Sequence, residues 1–211
     1  MLDKGELTTL ERKLFSRLRS PIAIQNFLDS IPTNWEKNGE TCMSPRMSLR
    51  AKKMHCMEGA LCAAAALWFN GEKPLVMDLR ADGDDDHVVA LYTRNGYWGA
   101  ISKTNHATLR FRDPIYKTLR ELALSYFHEY FLNTTGKKVL RKYSARPFDL
   151  SRFGNYWITS KENLFEIPEA IDDARHISVV PLKNLRLLRL ADSMERKAGN
   201  LIEWNKEDPR T

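Results

Sequence analysis

The stretch that decides the fold reads HCMEGALCAAAALW and runs from His55 to Trp68. Its small and aliphatic residues, with alanine at 63–66, predict a helix whose backbone can pack closely against a sheet. Cys56 begins this helix, so the positive end of the helix dipole would lie at its thiol and favour the thiolate. The basic stretch Arg50–Lys53 just before it acts in the same direction. The sequence therefore predicts a central helix with a reactive cysteine at its N-terminus.

An apolar strand headed by a histidine follows this helix. His87 begins HVVALY (His87–Tyr92), and the Asn95-Gly96 pair behind it is a strong signal for a two-residue hairpin turn. Tyr97–Ile101 is therefore expected to run antiparallel beside the His87 strand. A thiol at a helix start that faces a histidine on a strand is the working arrangement of a cysteine nucleophile, because the imidazole can take the thiol proton.

The remaining pattern predicts a single α+β domain with helices before the sheet. A helical period covers Glu6–Arg19, and Ser20-Pro21 is interpreted as the cap and first residue of a short helix that ends near Pro32. The further expected segments, in chain order, are a polar loop at Thr33–Pro45, a strand at Pro74–Leu79, a helix from Asp113-Pro114 to Gly136, strands at Trp157–Thr159 and Ile177–Val180, and an amphipathic helix at Leu182–Leu201. We expect the domain core at about 20–180 and a C-terminal helical extension at 181–211.

Composition and charge narrow the functional classes. The 211 residues are 43% hydrophobic and 28% charged, which is ordinary for a globular protein, and the net charge is +6. The basic residues are spread along the chain, which argues against a nucleic-acid partner. No apolar run approaches the roughly 20 residues that cross a bilayer, and the N-terminus lacks the apolar segment of a signal peptide. Three cysteines, Cys42, Cys56 and Cys62, argue against a disulfide scaffold, so we expect reduced thiols in the cytoplasm.

These ordered features resemble the transglutaminase-like branch of the papain-like cysteine enzymes. The resemblance rests on Cys56 at a helix start, the His87 strand, the glycine turn, the aromatic strand that contains Trp98, and Asp113-Pro114. It covers about Met54–Pro114. In that family the nucleophile, the histidine and the aspartate occur in this chain order, on a helix packed against an antiparallel sheet.

The third member of the site departs from the family pattern. The family's aspartate normally follows the tryptophan strand within a few residues, and here Ser102 or Lys103 holds that place. Asp113 comes later, beyond an apparent insertion at Lys103–Phe111. Asn105 in this insertion is a rival orienting residue, because papain-like enzymes use asparagine for that purpose.

The resemblance implies a hydrolase or acyltransferase that acts on an amide or ester through a thioester, with a protein or peptide-like substrate. Cys56 would be the nucleophile, His87 the general base and Asp113 the residue that orients the base, with no metal and no cofactor. The Cys56 amide would supply one oxyanion donor, and Trp35 or Asn34 a second. The alternative is a catalytically inactive transglutaminase-like module for binding or scaffolding, motivated by the displaced acid.

Other residues in the region have structural interpretations. Cys62 is expected in the core, and Asp113 before Pro114 is equally consistent with a helix N-cap followed by proline. His55 is excluded as the base, because adjacent residues on a helix do not face each other. Asp82–Asp86 lacks the ligand spacing of a calcium loop and is interpreted as a solvated acidic loop.

Overall fold

The computed structural model describes Leu2–Ile202, which form helices around one antiparallel sheet. The helices are α1 (Thr9–Phe15), α2 (Pro21–Asp29), α3 (Pro45–Ala51), α4 (Cys56–Phe69), α5 (Leu119–Phe127), α6 (Tyr156–Thr159), α7 (Glu166–Asp172) and α8 (Ser193–Gly199). The strands are β1 (Leu75–Ala81), β2 (His87–Arg94), β3 (Tyr97–Ile101), β4 (Arg112–Tyr116), β5 (Leu140–Ser144), β6 (Phe148–Asp149) and β7 (His176–Ser178). Short 3-10 helices lie at Lys4–Glu6, Leu150–Phe153 and Leu182–Leu187. None of the helices in this part of the chain has both the length and the apolar character that a membrane span requires.

The sheet is antiparallel throughout, with the strand order β4-β3-β2-β1-β5-β7, and β6 pairs with β1. β2 and β3 form the expected hairpin, in which Arg94 lies opposite Tyr97. Asn95 and Gly96 take φ angles of 52° and 81°, the left-handed conformation that a two-residue hairpin turn requires. The hairpin and the α+β class predicted from the sequence are therefore confirmed.

Helix α4 is buried at the centre of the molecule. It begins at Cys56 as expected, and Ala63–Ala66 have no exposed surface. These small side chains let β2 pack against the helix, while α2, α3 and α6 cover its other sides. Gly59 allows a still closer approach, because a Cβ added there would lie 2.2 Å from the Cβ of Lys103. The packing of α4 against the sheet thus fixes where its first turn lies relative to β2 and the end of β3.

Side-chain alternation along β2 separates two hydrophobic cores. Val88, Ala90 and Tyr92 belong to the core that contains α4, whereas Val89 and Leu91 belong to the core that contains α5. Such alternation is the ordinary consequence of strand geometry, in which successive side chains point to opposite faces. Helices α4 and α5 therefore cover opposite faces of the sheet.

Two segments adopt a different secondary structure from the one expected. Trp157–Thr159 forms α6 rather than a strand, and Trp157 stacks on Trp68 of α4 with 6.1 Å between ring centroids. A short apolar run fits a buried helical turn as well as a strand, so periodicity could not separate the two. Asp113-Pro114 lies in β4 rather than at a helix start, because a proline without an N–H is tolerated on an edge strand. Helix α5 begins only at Leu119.

The C-terminal segment is also less regular than expected. The predicted helix at Leu182–Leu201 is instead a 3-10 helix followed by α8. Leu182 and Leu187 are 82% and 72% exposed, so their spacing creates no buried face that would hold one continuous helix together. Residues 203–211 of the predicted extension lie outside the described part of the chain. Helices α3 and α7 and strands β5 and β6 were not predicted.

We expect Gly59→Ala to lower the free energy of unfolding by about 1–3 kcal/mol, because the added methyl group would overlap the Lys103 side chain. This loss should outweigh the gain of up to about 1 kcal/mol that alanine brings to a helix interior. Chemical denaturation of the variant beside the wild type measures the difference. An unchanged or increased free energy of unfolding would contradict the close contact between α4 and Lys103.

Candidate active site

The Cys56 thiol lies where α4 and β2 begin, between two imidazoles. It is half-buried and lines one cleft together with the rings of His55 and His87. The sulfur also lies 3.9 Å from the carbonyl oxygen of Asp86, the residue before β2. The structure thus brings together the two residues that the sequence singled out, Cys56 and His87, and adds a third, His55.

His87 is buried and held in one orientation by Ser102. Its Nε2 lies 2.8 Å from the Ser102 hydroxyl oxygen, and that hydroxyl donates to the carbonyl of Leu109 at 2.6 Å. Because the hydroxyl proton is engaged by Leu109, Ser102 must accept from His87, and Nε2 therefore carries the ring proton. This leaves Nδ1 as the basic nitrogen available to the Cys56 thiol. A neutral His87 is accordingly in the tautomer that can take up a proton.

Ser102 is fixed in turn by Gln25 of helix α2. The Gln25 amide oxygen accepts from the Ser102 backbone N–H at 2.9 Å, and its amide nitrogen donates to the Ser102 carbonyl at 2.8 Å. The same nitrogen donates to Asp29 at 2.8 Å. Both Gln25 and Ser102 are buried, so these bonds are shielded from water. Gln25 therefore locks the backbone of the residue that orients His87.

The environment of Cys56 favours its thiolate. Burial alone would raise the pKa of the thiol, but hydrogen bonds from His55 and His87 and the positive charge of both rings lower it to about 5. The other cysteines behave oppositely, since burial raises the pKa of Cys42 and of Cys62 to about 12. Cys62 is wholly buried in the core, as expected from the sequence. Only Cys56 therefore combines exposure with an ionised sulfur at neutral pH.

The rule that adjacent helical residues do not face each other does not apply to His55. His55 is the N-cap of α4, with extended φ and ψ of −93° and −173°, so it does not follow the helical path of its neighbours. Burial disfavours its charge, but hydrogen bonding to Cys56 and the charge of Glu58 raise its pKa to about 9. His55 Nε2 lies 3.0 Å from the carbonyl of Thr41. The sequence did contain a signal for this cap, because His55 and Glu58 stand at the first and fourth positions of a capping-box pattern.

Glu58 is a fully buried carboxylate beneath the start of the helix. It accepts from the backbone N–H of His55 at 3.0 Å and from that of Met43 at 3.1 Å. The Thr41 hydroxyl donates to it at 2.8 Å and the Asn34 amide at 3.1 Å. These bonds supply a capping box for α4 and satisfy a charge that would otherwise be costly to bury.

A cleft of about 350 Å³ opens above the thiol. Its walls carry both aromatic and acidic residues, including Trp35, Glu36, Asp84, Asp85 and Tyr130. The size is that of a small ligand site that could admit one side chain or a short peptide segment. The expected acidic loop at Asp82–Asp86 therefore forms part of the cleft wall.

The expected second oxyanion donor is only partly supported. Asn34 is buried, and its amide group donates to the Thr41 hydroxyl at 2.9 Å and to Glu58. Both protons of that amide are thus engaged, so Asn34 has none for an oxyanion. Trp35 lines the cleft, as an oxyanion donor would.

The expected orienting residue, Asp113, lies away from His87. It is exposed on edge strand β4, and within Leu2–Ile202 no hydrogen bond joins it to His87. Asn105, the rival, lines the cleft but likewise makes no such bond. Ser102, the residue directly after β3, instead occupies the orienting position behind His87. The insertion after Ser102 contributes Leu109, whose carbonyl sets the direction of the Ser102 hydroxyl.

Three carboxylates beside the cleft also come together. Asp78, Asp86 and Asp172 each bring one oxygen within 4.8 Å of the others. Arg80 lies 3.2 Å from Asp78 and 3.0 Å from Asp172, and His176 Nε2 lies 2.9 Å from Asp78. Because these basic groups already balance part of the negative charge, we interpret the group as an ion-pair network that anchors the start of β2.

The comparisons with known proteins assign no family to this arrangement. No family model matches the chain, and no curated protein matches it. The geometry of the cleft is therefore the basis for assigning a function.

We expect Ser102→Ala to remove the hydrogen bond that holds neutral His87 in the Nε2–H tautomer. A neutral hydrogen bond worth about 1 kcal/mol corresponds to a preference of roughly fivefold for the Nε2–H form, and the variant should lose it. Nitrogen NMR of the imidazole measures the tautomer ratio directly.

Ser144→Ala is the matched control, because Ser144 is an equally buried serine whose hydroxyl bonds the Asp78 amide instead. An unchanged tautomer ratio in Ser102→Ala, or an equal change in Ser144→Ala, would contradict the orienting action of Ser102.

Proposed function

We propose that the protein is a cysteine-dependent hydrolase or acyltransferase that acts on an amide or ester through a thioester intermediate. The observation that carries the proposal is the Cys56 thiol at the first residue of α4, in one cleft with a His87 whose tautomer is fixed by Ser102. An ionised sulfur beside an imidazole at the floor of a cleft is the arrangement of a nucleophilic cysteine. The proposed enzyme is transglutaminase-like.

The fold supports this proposal in its general form. A buried helix carries the cysteine at its first residue, packs on an antiparallel sheet, and meets a histidine at the start of the neighbouring strand β2. This is the arrangement that the resemblance to papain-like enzymes implies. The replacement of the family's aspartate by Ser102 is a departure that leaves the orienting contact in place.

The proposed reaction begins with attack of the Cys56 thiolate on the substrate carbonyl carbon. A C–S bond forms, and the carbonyl π electrons move to oxygen, where the Cys56 backbone N–H at the start of α4 can stabilise the oxyanion. Collapse of this intermediate breaks the bond to the amine or alcohol, which leaves with a proton donated by the His87 imidazolium. The acyl group is then held on sulfur as a thioester.

The second half returns the enzyme to its starting state. Water or an amine attacks the thioester carbonyl while neutral His87 accepts its proton at Nδ1. The C–S bond breaks, and the sulfur leaves as the thiolate beside the imidazolium. Water yields a carboxylic acid, and an amine yields a new amide. The size of the cleft and its aromatic wall support a protein or peptide-like substrate.

The free cysteines bear on the cellular compartment in which the protein works. All three cysteines are free, and a thiolate nucleophile needs a reducing environment to stay active. We therefore propose that the protein works in the cytoplasm.

A second candidate function is a catalytically inactive transglutaminase-like binding module. The observation that favours it is the uncharged Ser102 behind His87, since a neutral partner stabilises the imidazolium less than a carboxylate does. The two candidates differ in whether an acyl group reaches Cys56.

We expect an activated aryl ester to leave its acyl group on Cys56, detectable by intact-mass spectrometry with peptide mapping. Cys56→Ala should abolish this adduct, and His87→Ala should slow its hydrolysis by roughly a hundredfold or more through loss of the base. Cys62→Ala is the matched control and should acylate normally, because Cys62 is buried far along the same helix. Equal acylation of Cys56→Ala, or no acylation of the wild type, would overturn the enzymatic proposal and favour the binding module.

A further inference from the structure

The two imidazoles that line the cleft with Cys56 have different partners. His87 is backed by the uncharged hydroxyl of Ser102 at 2.8 Å. His55 is backed by a carboxylate, since its Nε2 lies 3.4 Å from Oε1 of Glu58. A hydroxyl orients a ring but carries no charge to offset that of an imidazolium, whereas a carboxylate does both. The acid of this site therefore stands behind His55 and not behind His87.

The Glu58 carboxylate is placed to act strongly on its neighbour. It has no exposed side-chain surface, and water therefore screens its charge little. Asn34, Thr41, Met43 and His55 each donate a hydrogen bond to its oxygens. A second carboxylate, Glu36, lies 3.7 Å from the same His55 nitrogen but is one-third exposed. Glu58 is thus the better shielded of the two negative charges that face this ring.

The charge of the His55 ring determines whether Nδ1 accepts or donates a hydrogen bond. The Met57 backbone N–H lies 3.3 Å from Nδ1, a long hydrogen bond that only the neutral ring can accept. In the charged ring Nδ1 carries a proton and becomes a donor, and Nε2–H still donates to Thr41. Ionisation of Cys56 favours the second arrangement, because the thiolate is an acceptor beside the ring.

We propose that Glu58 and His55 form a positioning pair, in which the buried carboxylate holds His55 as the imidazolium that keeps Cys56 ionised, so that His87 alone carries the proton of the reaction. Glu58 acts through His55 and touches no reacting atom. The Glu58–His55 pair replaces the acid–histidine half of a conventional triad, while His87 and Ser102 supply the mobile base and its orientation. This inference rests on the proposed function insofar as it takes Cys56 to be the nucleophile.

The test is a double-mutant cycle on the ionisation of the Cys56 thiol, measured without substrate. The rate of alkylation by iodoacetamide is followed against pH, with site mapping to separate Cys56 from the buried cysteines. We expect Glu58→Gln and His55→Asn each to slow labelling at pH 6 by at least about tenfold, which for a thiol with a pKa of about 5 corresponds to an upward shift of about two pKa units. The double variant should be no slower than His55→Asn, because Glu58 acts through His55. Glu36→Gln is the matched control and should change the rate by less than about threefold.

Several results would overturn this inference. One is an unchanged pH profile in His55→Asn, a variant that keeps a good helix cap and so separates the charge of the ring from folding. Another is an effect of Glu58→Gln that is equal in the wild-type and His55→Asn backgrounds. Because no substrate enters the experiment, a failed ester acylation and a failed cycle are distinguishable: the first removes the activity, and the second removes only the Glu58–His55 pair.

Discussion

The position of the Cys56 sulfur beside His55 and His87 depends on the N-terminus of α4 being fixed in place. That helix is enclosed by the sheet and three other helices, so its first turn cannot shift without disturbing both the core and the cleft. A buried helix start also leaves amide groups that need acceptors. Glu58 accepts the backbone N–H of His55 in the capping box, and the same carboxylate places a negative charge beside the His55 ring. The Glu58 side chain thus both caps the helix and acts on the candidate active site.

The pKa of Cys56 is lowered and the pKa of His55 is raised, so both groups are charged at neutral pH. The pKa of Cys56 lies at about 5, so its thiolate is lost only as the pH falls through that value. The pKa of His55 lies at about 9, so its imidazolium is lost as the pH rises through that value. Between these limits the sulfur is negative and the His55 ring positive. His87, oriented by Ser102, can then exchange a proton without removing the charge that keeps the sulfur ionised.

Local patterns in the sequence predicted the parts of the fold that depend on interactions between residues close together in the chain. The hairpin at Asn95-Gly96 and the helix start at Cys56 followed from turn and helix preferences, and both are confirmed. The orienting residue did not follow, because Ser102 gains its meaning only from Gln25, 77 positions earlier, and from Leu109. No local pattern records such contacts. His55 was excluded by a rule for residues inside helices, although a cap lies outside the helix that it begins.

The proposed chemistry depends most directly on an ionised Cys56 at neutral pH. The ultraviolet absorbance of the thiolate measures this ionisation without any reagent. The difference in absorbance between the wild type and Cys56→Ala, followed from acid to alkaline pH, isolates this one sulfur. We predict a single titration centred near pH 5, since His55 and His87 hold the pKa of the thiol at about 5. A titration centred at the ordinary thiol value of about 8.5 would contradict the account, because the two imidazoles would then not stabilise the thiolate.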